Sequence, residues 1–185
     1  MENLFVDAIC QAAVEILGEK EAFTTLKEMG FPTLIPADAP RFSLEDMGLV
    51  LARKYNPQTA MGLLIRIGRA SLIFLRRYFS DISELGSIEN RLKPLDRRFL
   101  SSLNVLAQRV SSELGQSTHV SAQDALSYSW QVRSTQQTYA CYYYFGLLEE
   151  FCTWLDSRKT YQLTYADLDP ISDAYQFNLT IKDPQ

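Results

Sequence analysis

His119 is the only histidine in a chain of 185 residues, and it limits the chemistry open to the rest. A Ser-His-Asp or Cys-His arrangement would have to pass through it. No serine sits in a G-x-S-x-G elbow, and neither Cys141 nor Cys152 has the setting of a protease nucleophile. A zinc site on His119 would need a ligand spacing that the scattered cysteines and acids do not provide. A haem axial ligand is a role that one histidine can fill alone, but Gln116, Ser117 and Thr118 place His119 in a polar loop or at a strand start. Asp167, Asp169 and Asp173 lack the glycine and closing glutamate of a calcium loop and read as Asp-Pro turn residues. Glu149 and Glu150 are adjacent, so on a helix they diverge and cannot act as an acid/base pair. The eight glycines are isolated, which leaves no phosphate-cradling loop. The expectation is no catalytic residue, no metal and no cofactor.

What remains is aromatic and cationic. Tyr142, Tyr143, Tyr144 and Phe145 are consecutive, so they surround a helix rather than share one face. With Tyr128, Trp130 and Trp154 they either line an apolar cavity with polar handles or fill a sheet-on-helix core. Arg66, Arg69 and Arg76 share a narrow helix face with Arg77 beside it, either solvated or an anchor for a carboxylate or phosphate.

The elements that must position these residues change character along the chain. Residues 3–17 repeat apolar side chains at helical spacing and stop at Gly18, and a shorter helix follows to Gly30. Pro32, Pro36 and Pro40 exclude regular helix from 31–42. Ser43 is placed to cap a helix that Asn56-Pro57 ends. Residues 57–79 then carry apolar side chains over most of the helix circumference, as expected of a helix buried in the domain or in a dimer. Another helix is expected over 91–114, closed by Gly115. From there the period falls to two, in 126–133, 160–165 and 175–182, with a weaker strand at 118–124. One helix, 136–156, interrupts the strands; Ser134 with Gln137, or Thr138, would cap it. Its expected buried stripe is Cys141, Phe145, Leu148, Cys152 and Leu155, with Glu149, Thr153 and Asp156 on the wet side. The pattern predicts an α+β fold in a single domain: N-terminal helices, with 1–42 as an extension, packed on a small antiparallel sheet with a late amphipathic helix between strands.

Composition fits that fold: 46% hydrophobic, 22% charged, net charge −4. Residues 41–115 hold twelve basic against seven acidic side chains, too diluted a block to predict a nucleic-acid partner. No apolar run reaches the ~18 residues of a membrane span. Three scattered cysteines and a start without basic residues, Met1-Glu2-Asn3, lead to the expectation of a reduced, cytoplasmic protein.

The order of elements resembles a known family. Tyr139-Ala-Cys-Tyr-Tyr-Tyr-Phe-Gly-Leu-Leu-Glu-Glu-Phe-Cys is similar to the C-terminal helix of the 4-vinyl reductase, or hydrocarbon-binding, domains. Tyr161-Gln-Leu-Thr-Tyr and Tyr175-Gln-Phe-Asn-Leu-Thr-Ile resemble their closing hairpin, and Gly68-Arg69 resembles a glycine within their long apolar helix. The resemblance spans about residues 43–182 and extends to the haem nitric-oxide-binding domains and the Golgi transport-particle subunits. It implies a module that holds an apolar, aromatic or tetrapyrrole-like ligand, or a protein partner, against a small sheet. The hairpin here, Asp167-Leu-Asp-Pro-Ile-Ser-Asp-Ala-Tyr, lacks the family's cysteines and glycine, so no metal or redox role is expected from it.

These readings converge on a non-enzymatic small-molecule-binding or sensory module, with Gly68, Arg69, Tyr128, Trp130, Tyr142 and Phe145 as the ligand-binding set. The alternative is a dimeric adaptor resembling the Golgi transport-particle subunits. A homodimer is expected in either case, through the apolar helix 57–79.

Overall fold

Gly18 takes φ +82° between two helices, one of three glycines at positive φ in the described part of the chain. The computed structural model describes residues 3–31, 42–133, 138–169 and 174–182, with side chains omitted over 166–169. Pro32, Pro36 and Pro40, the Ser134/Gln137 pair and the side chains of Asp167, Asp169 and Asp173 lie outside the described residues. The elements run α1 (Leu4–Leu17), α2 (Glu19–Glu28), α3 (Leu44–Lys54), α4 (Pro57–Tyr78), α5 (Ser80–Glu84), α6 (Ile88–Arg91) and α7 (Leu95–Leu114). They continue as β1 (Thr118–Ala122), β2 (Ser127–Arg133), α8 (Ala140–Leu155), β3 (Thr160–Asp169) and β4 (Ala174–Lys182). This is the expected α+β fold. It forms two compact units, Met1–Tyr78 with Gln136–Leu148, and Phe79–Thr135 with Glu149–Gln185.

The first unit is helical. Asn3 Oδ1 accepts hydrogen bonds from the Phe5 and Val6 amides at 3.1 and 3.0 Å and starts α1. Within this unit α1 packs on α4 and buries Phe5, Ile9 and Ala12. Ser43 Oγ caps α3 by accepting from the Asp46 amide at 3.2 Å, and Asn56 Oδ1 caps α4 by accepting from Thr59 at 2.8 Å. Pro57 fills the first position of α4, where no amide is needed. By length and composition α4 could cross a membrane, yet it buries Leu64, Ile67, Leu72 and Leu75 within this unit. Its exposed face is not apolar: Arg66, Arg69, Arg76 and Arg77 occupy it, with Ile73 among them.

Two glycines let α4 and α8 touch through their backbones. A Cβ on Gly68 would lie 2.1 Å from the Tyr143 carbonyl oxygen, and one on Gly146 would lie 2.0 Å from the Ile65 carbonyl oxygen. Among the described residues, the start of α8 is capped by a side chain distant in sequence. Glu45, from the first turn of α3, accepts from the amides of Thr138, Tyr139 and Ala140 at 3.1, 2.8 and 3.0 Å. A turn further along, Gly48 makes room for Tyr139, whose Cβ would be 2.1 Å from any Cβ placed there.

The second unit holds the sheet, antiparallel throughout in the order β1-β2-β4-β3. Register sets Tyr128 opposite Leu179, Trp130 opposite Phe177 and Val132 opposite Tyr175. On the other side of β4, Leu163 faces Leu179 and Tyr165 faces Phe177. The period-two reading thus places the apolar side chains on one face, where Trp130, Phe177 and Tyr165 form a row with centroids about 6 Å apart. Helix α7 packs on this sheet, and Phe99 meets Tyr128 and Tyr161 at 6.3 and 5.7 Å. The expected helix 91–114 begins only at Leu95. Pro94 precedes it, and α5 and α6 occupy the connection that hydrophobic spacing left unassigned.

Candidate functional site

The six residues read from the sequence as a ligand site divide between the two units. Tyr128 and Trp130 are buried on the same sheet face in the second unit. The Tyr128 hydroxyl donates to the Asp96 and Ala125 carbonyl oxygens at 3.2 and 3.1 Å, and burial pushes its phenol up to about 12. Gly68, Arg69, Tyr142 and Phe145 belong to the first unit. Gly68 admits another backbone, that of α8, while Arg69 on the same helix is exposed.

Tyr142 and Phe145 are half-buried, whereas Tyr143, Tyr144 and Phe151 are the fully buried aromatics of α8. The expected stripe is therefore corrected at Phe145. Cys141, Leu148, Cys152 and Leu155 are buried as expected, but the buried surface is wider and takes in Tyr143, Tyr144, Leu147 and Phe151. Gly68 against the Tyr143 and Leu147 backbone, and Gly146 against that of Ile65, bring the two helices so close that consecutive residues of α8 are covered.

Asp156 was expected on the wet side of α8 and is buried instead. Arg98 Nη2 donates to its Oδ2 at 2.6 Å, with both side chains almost fully covered. Arg158 Nε and Nη2 donate to Oδ1 and Oδ2 at 3.0 and 3.1 Å, and the Arg158 amide donates to Oδ1 at 3.1 Å. These Arg158 bonds, aided by Arg98 and opposed by burial, hold the carboxyl well below the usual carboxylate range. Tyr161 donates its hydroxyl to the Asp156 carbonyl oxygen, and burial pushes the Tyr161 phenol up. Beside this hub a partly open cleft of about 390 Å³ is lined by Arg91, Arg98, Trp154, Asp156 and Arg158, among others. The spacing holds a signal for both buried charges: Arg98 falls in the buried stripe of Ser102 and Leu106, and Asp156 in that of Leu148 and Cys152.

No protein-family profile matches the chain, and no curated protein matches it in sequence. Solved structures do. An oxygen-binding H-NOX domain related to soluble guanylate cyclases superposes with a TM-score of 0.65 at 12% identity, covering 100% of this chain and 96% of the other. A mutant H-NOX of T. Tengcongensis gives 0.66 at 13% identity, with 100% and 98% covered. The chain has the H-NOX fold. A third structure, from work on haem redox potential and porphyrin distortion, gives 0.63 at 14% identity, with 98% and 99% covered. At these identities the likeness is one of fold.

The donor set of this chain does not fit the haem that such structures are concerned with. His119 lies exposed on β1, the edge strand, opposite Gln131. Cys10, Cys141 and Cys152 are buried free thiols. Burial, with Asp7 adding to it, pushes the Cys10 thiol up to about 12, and burial pushes Cys152 up as well. Neither is poised to be a thiolate ligand. Among the described residues no group of His, Cys, Asp and Glu is arranged to hold a metal ion.

Proposed function

We propose that the chain is a non-enzymatic small-molecule-binding or sensory module that uses the H-NOX fold without an axially ligated haem and resembles the hydrocarbon-binding 4-vinyl reductase domains. The observation that carries this reading is the conjunction of a whole-chain match to H-NOX structures with an only histidine exposed on an edge strand. The ligand is apolar, aromatic or tetrapyrrole-like. Tyr128 and Trp130, on one sheet face of the second unit, are the aromatic contacts proposed there, and Arg69, Tyr142 and Phe145 of the first unit are tested separately as contacts of their own. Gly68 supports them by letting α4 and α8 meet. Burying about 200 Å² of apolar ligand at roughly 25 cal/mol per Å² contributes on the order of 5 kcal/mol before the costs of association. Tight binding therefore requires a polar anchor as well.

The test is titration of intrinsic tryptophan fluorescence with fatty acids, polycyclic aromatic hydrocarbons and porphyrins. Saturation below about 100 μM, weakened several-fold in Trp130→Ala and in the less buried Tyr142→Ala and Arg69→Ala, supports the reading. Absence of saturation by every ligand in folded protein sinks it. A second reading, a dimeric adaptor resembling the Golgi transport-particle subunits, draws on Ile73, which is 47% exposed on α4.

A further inference from the structure

The Asp156 hub carries more positive charge than its carboxylate balances. Among the described residues, Arg91, Arg98 and Arg158 line one cleft with a single acid, Asp156, which leaves an excess of two positive charges at that lining. Arg98 is only 3% exposed, yet its Nε has no hydrogen-bond partner among the described residues. A buried guanidinium with an unused donor is costly to hold, and an oxyanion would satisfy it. Arg158 is the exposed counterpart, its side chain 82% exposed while it holds Asp156, so it presents its guanidinium to solvent at the cleft. The cleft is not purely polar. Trp154 and Leu155 line it, and Ile88 and Leu92, which flank Arg91 in sequence, are 76% and 80% exposed. A cleft of about 390 Å³ falls in the size range of small-molecule sites.

We propose that this cleft binds a phosphate monoester with an apolar or aromatic body, its phosphate held by Arg91, Arg98 and Arg158 and its body against Trp154 and Leu155. A phosphate monoester carries about −1.5 to −2 charge at neutral pH, which matches the excess, and its oxygens suit the planar forks of arginine. Soluble esters and lipid headgroups share this chemistry. The site uses neither Tyr128 nor Trp130, so it stands or falls independently of the ligand reading above.

Calorimetric titration at about 0.15 M salt, which screens loose charge attraction, tests it with hexyl phosphate, inorganic phosphate, and phosphatidylcholine vesicles with and without phosphatidic acid. The expected result is saturable binding of hexyl phosphate that is about tenfold tighter than inorganic phosphate. The double variant Arg91→Gln/Arg158→Gln, both exposed positions, is expected to weaken it by about tenfold or more while leaving the circular dichroism unchanged. Binding to phosphatidic-acid vesicles that is lost in the double variant assigns the site to a lipid headgroup; hexyl phosphate binding without vesicle binding assigns it to a soluble ester. Equal affinity of wild type and double variant for hexyl phosphate overturns the proposal. So does equal affinity for inorganic and hexyl phosphate, or no saturation by either hexyl phosphate or vesicles.

Discussion

Glu45 and Asp156 are buried acids whose hydrogen bonds make them part of the framework. Glu45 gathers three amides at the head of α8, satisfying donors that the helix cannot satisfy itself. Glu45→Ala is expected to lower stability by on the order of 3 kcal/mol, measured by denaturant unfolding, because buried amides lose a charged acceptor. Glu45→Gln should recover part of that. Nothing local to α8 announces this cap, since its acceptor is more than ninety residues away in sequence; only its cost is local. Asp156 is different: with Arg98 it forms a pair of opposite charges lying in two apolar stripes, a pattern legible in the sequence once both helices are drawn. A carboxyl whose folded pKa is depressed releases its proton more readily folded than unfolded. Its contribution to stability is therefore complete above the unfolded value of about 4 and is lost as pH falls below it. Unfolding free energy followed from pH 7 downward should show this loss in wild type. Asp156→Asn should be destabilised by roughly 3–5 kcal/mol at neutral pH, because it strands Arg98, and its acid dependence should be shallower.

Elements carried the sequence reading furthest where one period held over a whole segment. The strands β2 and β4 present Tyr128, Trp130 and Val132, and Tyr175, Phe177, Leu179 and Ile181, on the face that alternation assigned to them. Helix α4 keeps its length, its buried faces and its arginine face as expected, but spacing cannot say that a neighbouring helix will lie on its backbone. Gly68 and Gly146 decide that. Gly68→Ala is expected to destabilise by about 2–4 kcal/mol, since its methyl would strike a carbonyl oxygen rather than a flexible side chain. Gly62→Ala on the same helix meets no atom within 4 Å and should stabilise by up to about 1 kcal/mol. Thermal unfolding of the two variants side by side checks both signs at once. Two destabilised variants of equal size would mean that the glycine contact is not what fixes α4 against α8. The short helices α5 and α6 were not legible at all. At five and four residues they are too brief to show a period, and the capping of α6 by Ser87 is visible only in three dimensions.

At the scale of the whole molecule, element order pointed to the fold group that includes the haem nitric-oxide-binding domains. Structures of that fold match at 10–14% identity, while no profile of the 4-vinyl reductase family or of any other matches the chain. Order survives because packing of helices on a sheet depends on pattern, whereas a ligand site depends on single residues. That is also why Arg98, Asp156 and Arg158 escaped a reading centred on aromatics. The face of α4 left exposed is arginine-rich with one isoleucine, so a dimer through it would have to place like charges together. Light scattering at tens of micromolar, repeated with Ile73→Asp, checks the homodimer: a dimer that dissociates in the variant supports association through α4, and a monomer in wild type refutes it. The central claim is that an H-NOX fold here serves a ligand other than axially bound haem. Native mass spectrometry of the freshly purified protein, before and after incubation with haemin, tests it most directly. The expected result is a bound organic molecule that is not haem, with no stoichiometric haemin adduct that depends on His119; one haem per chain, lost in His119→Ala, would overturn the proposed function.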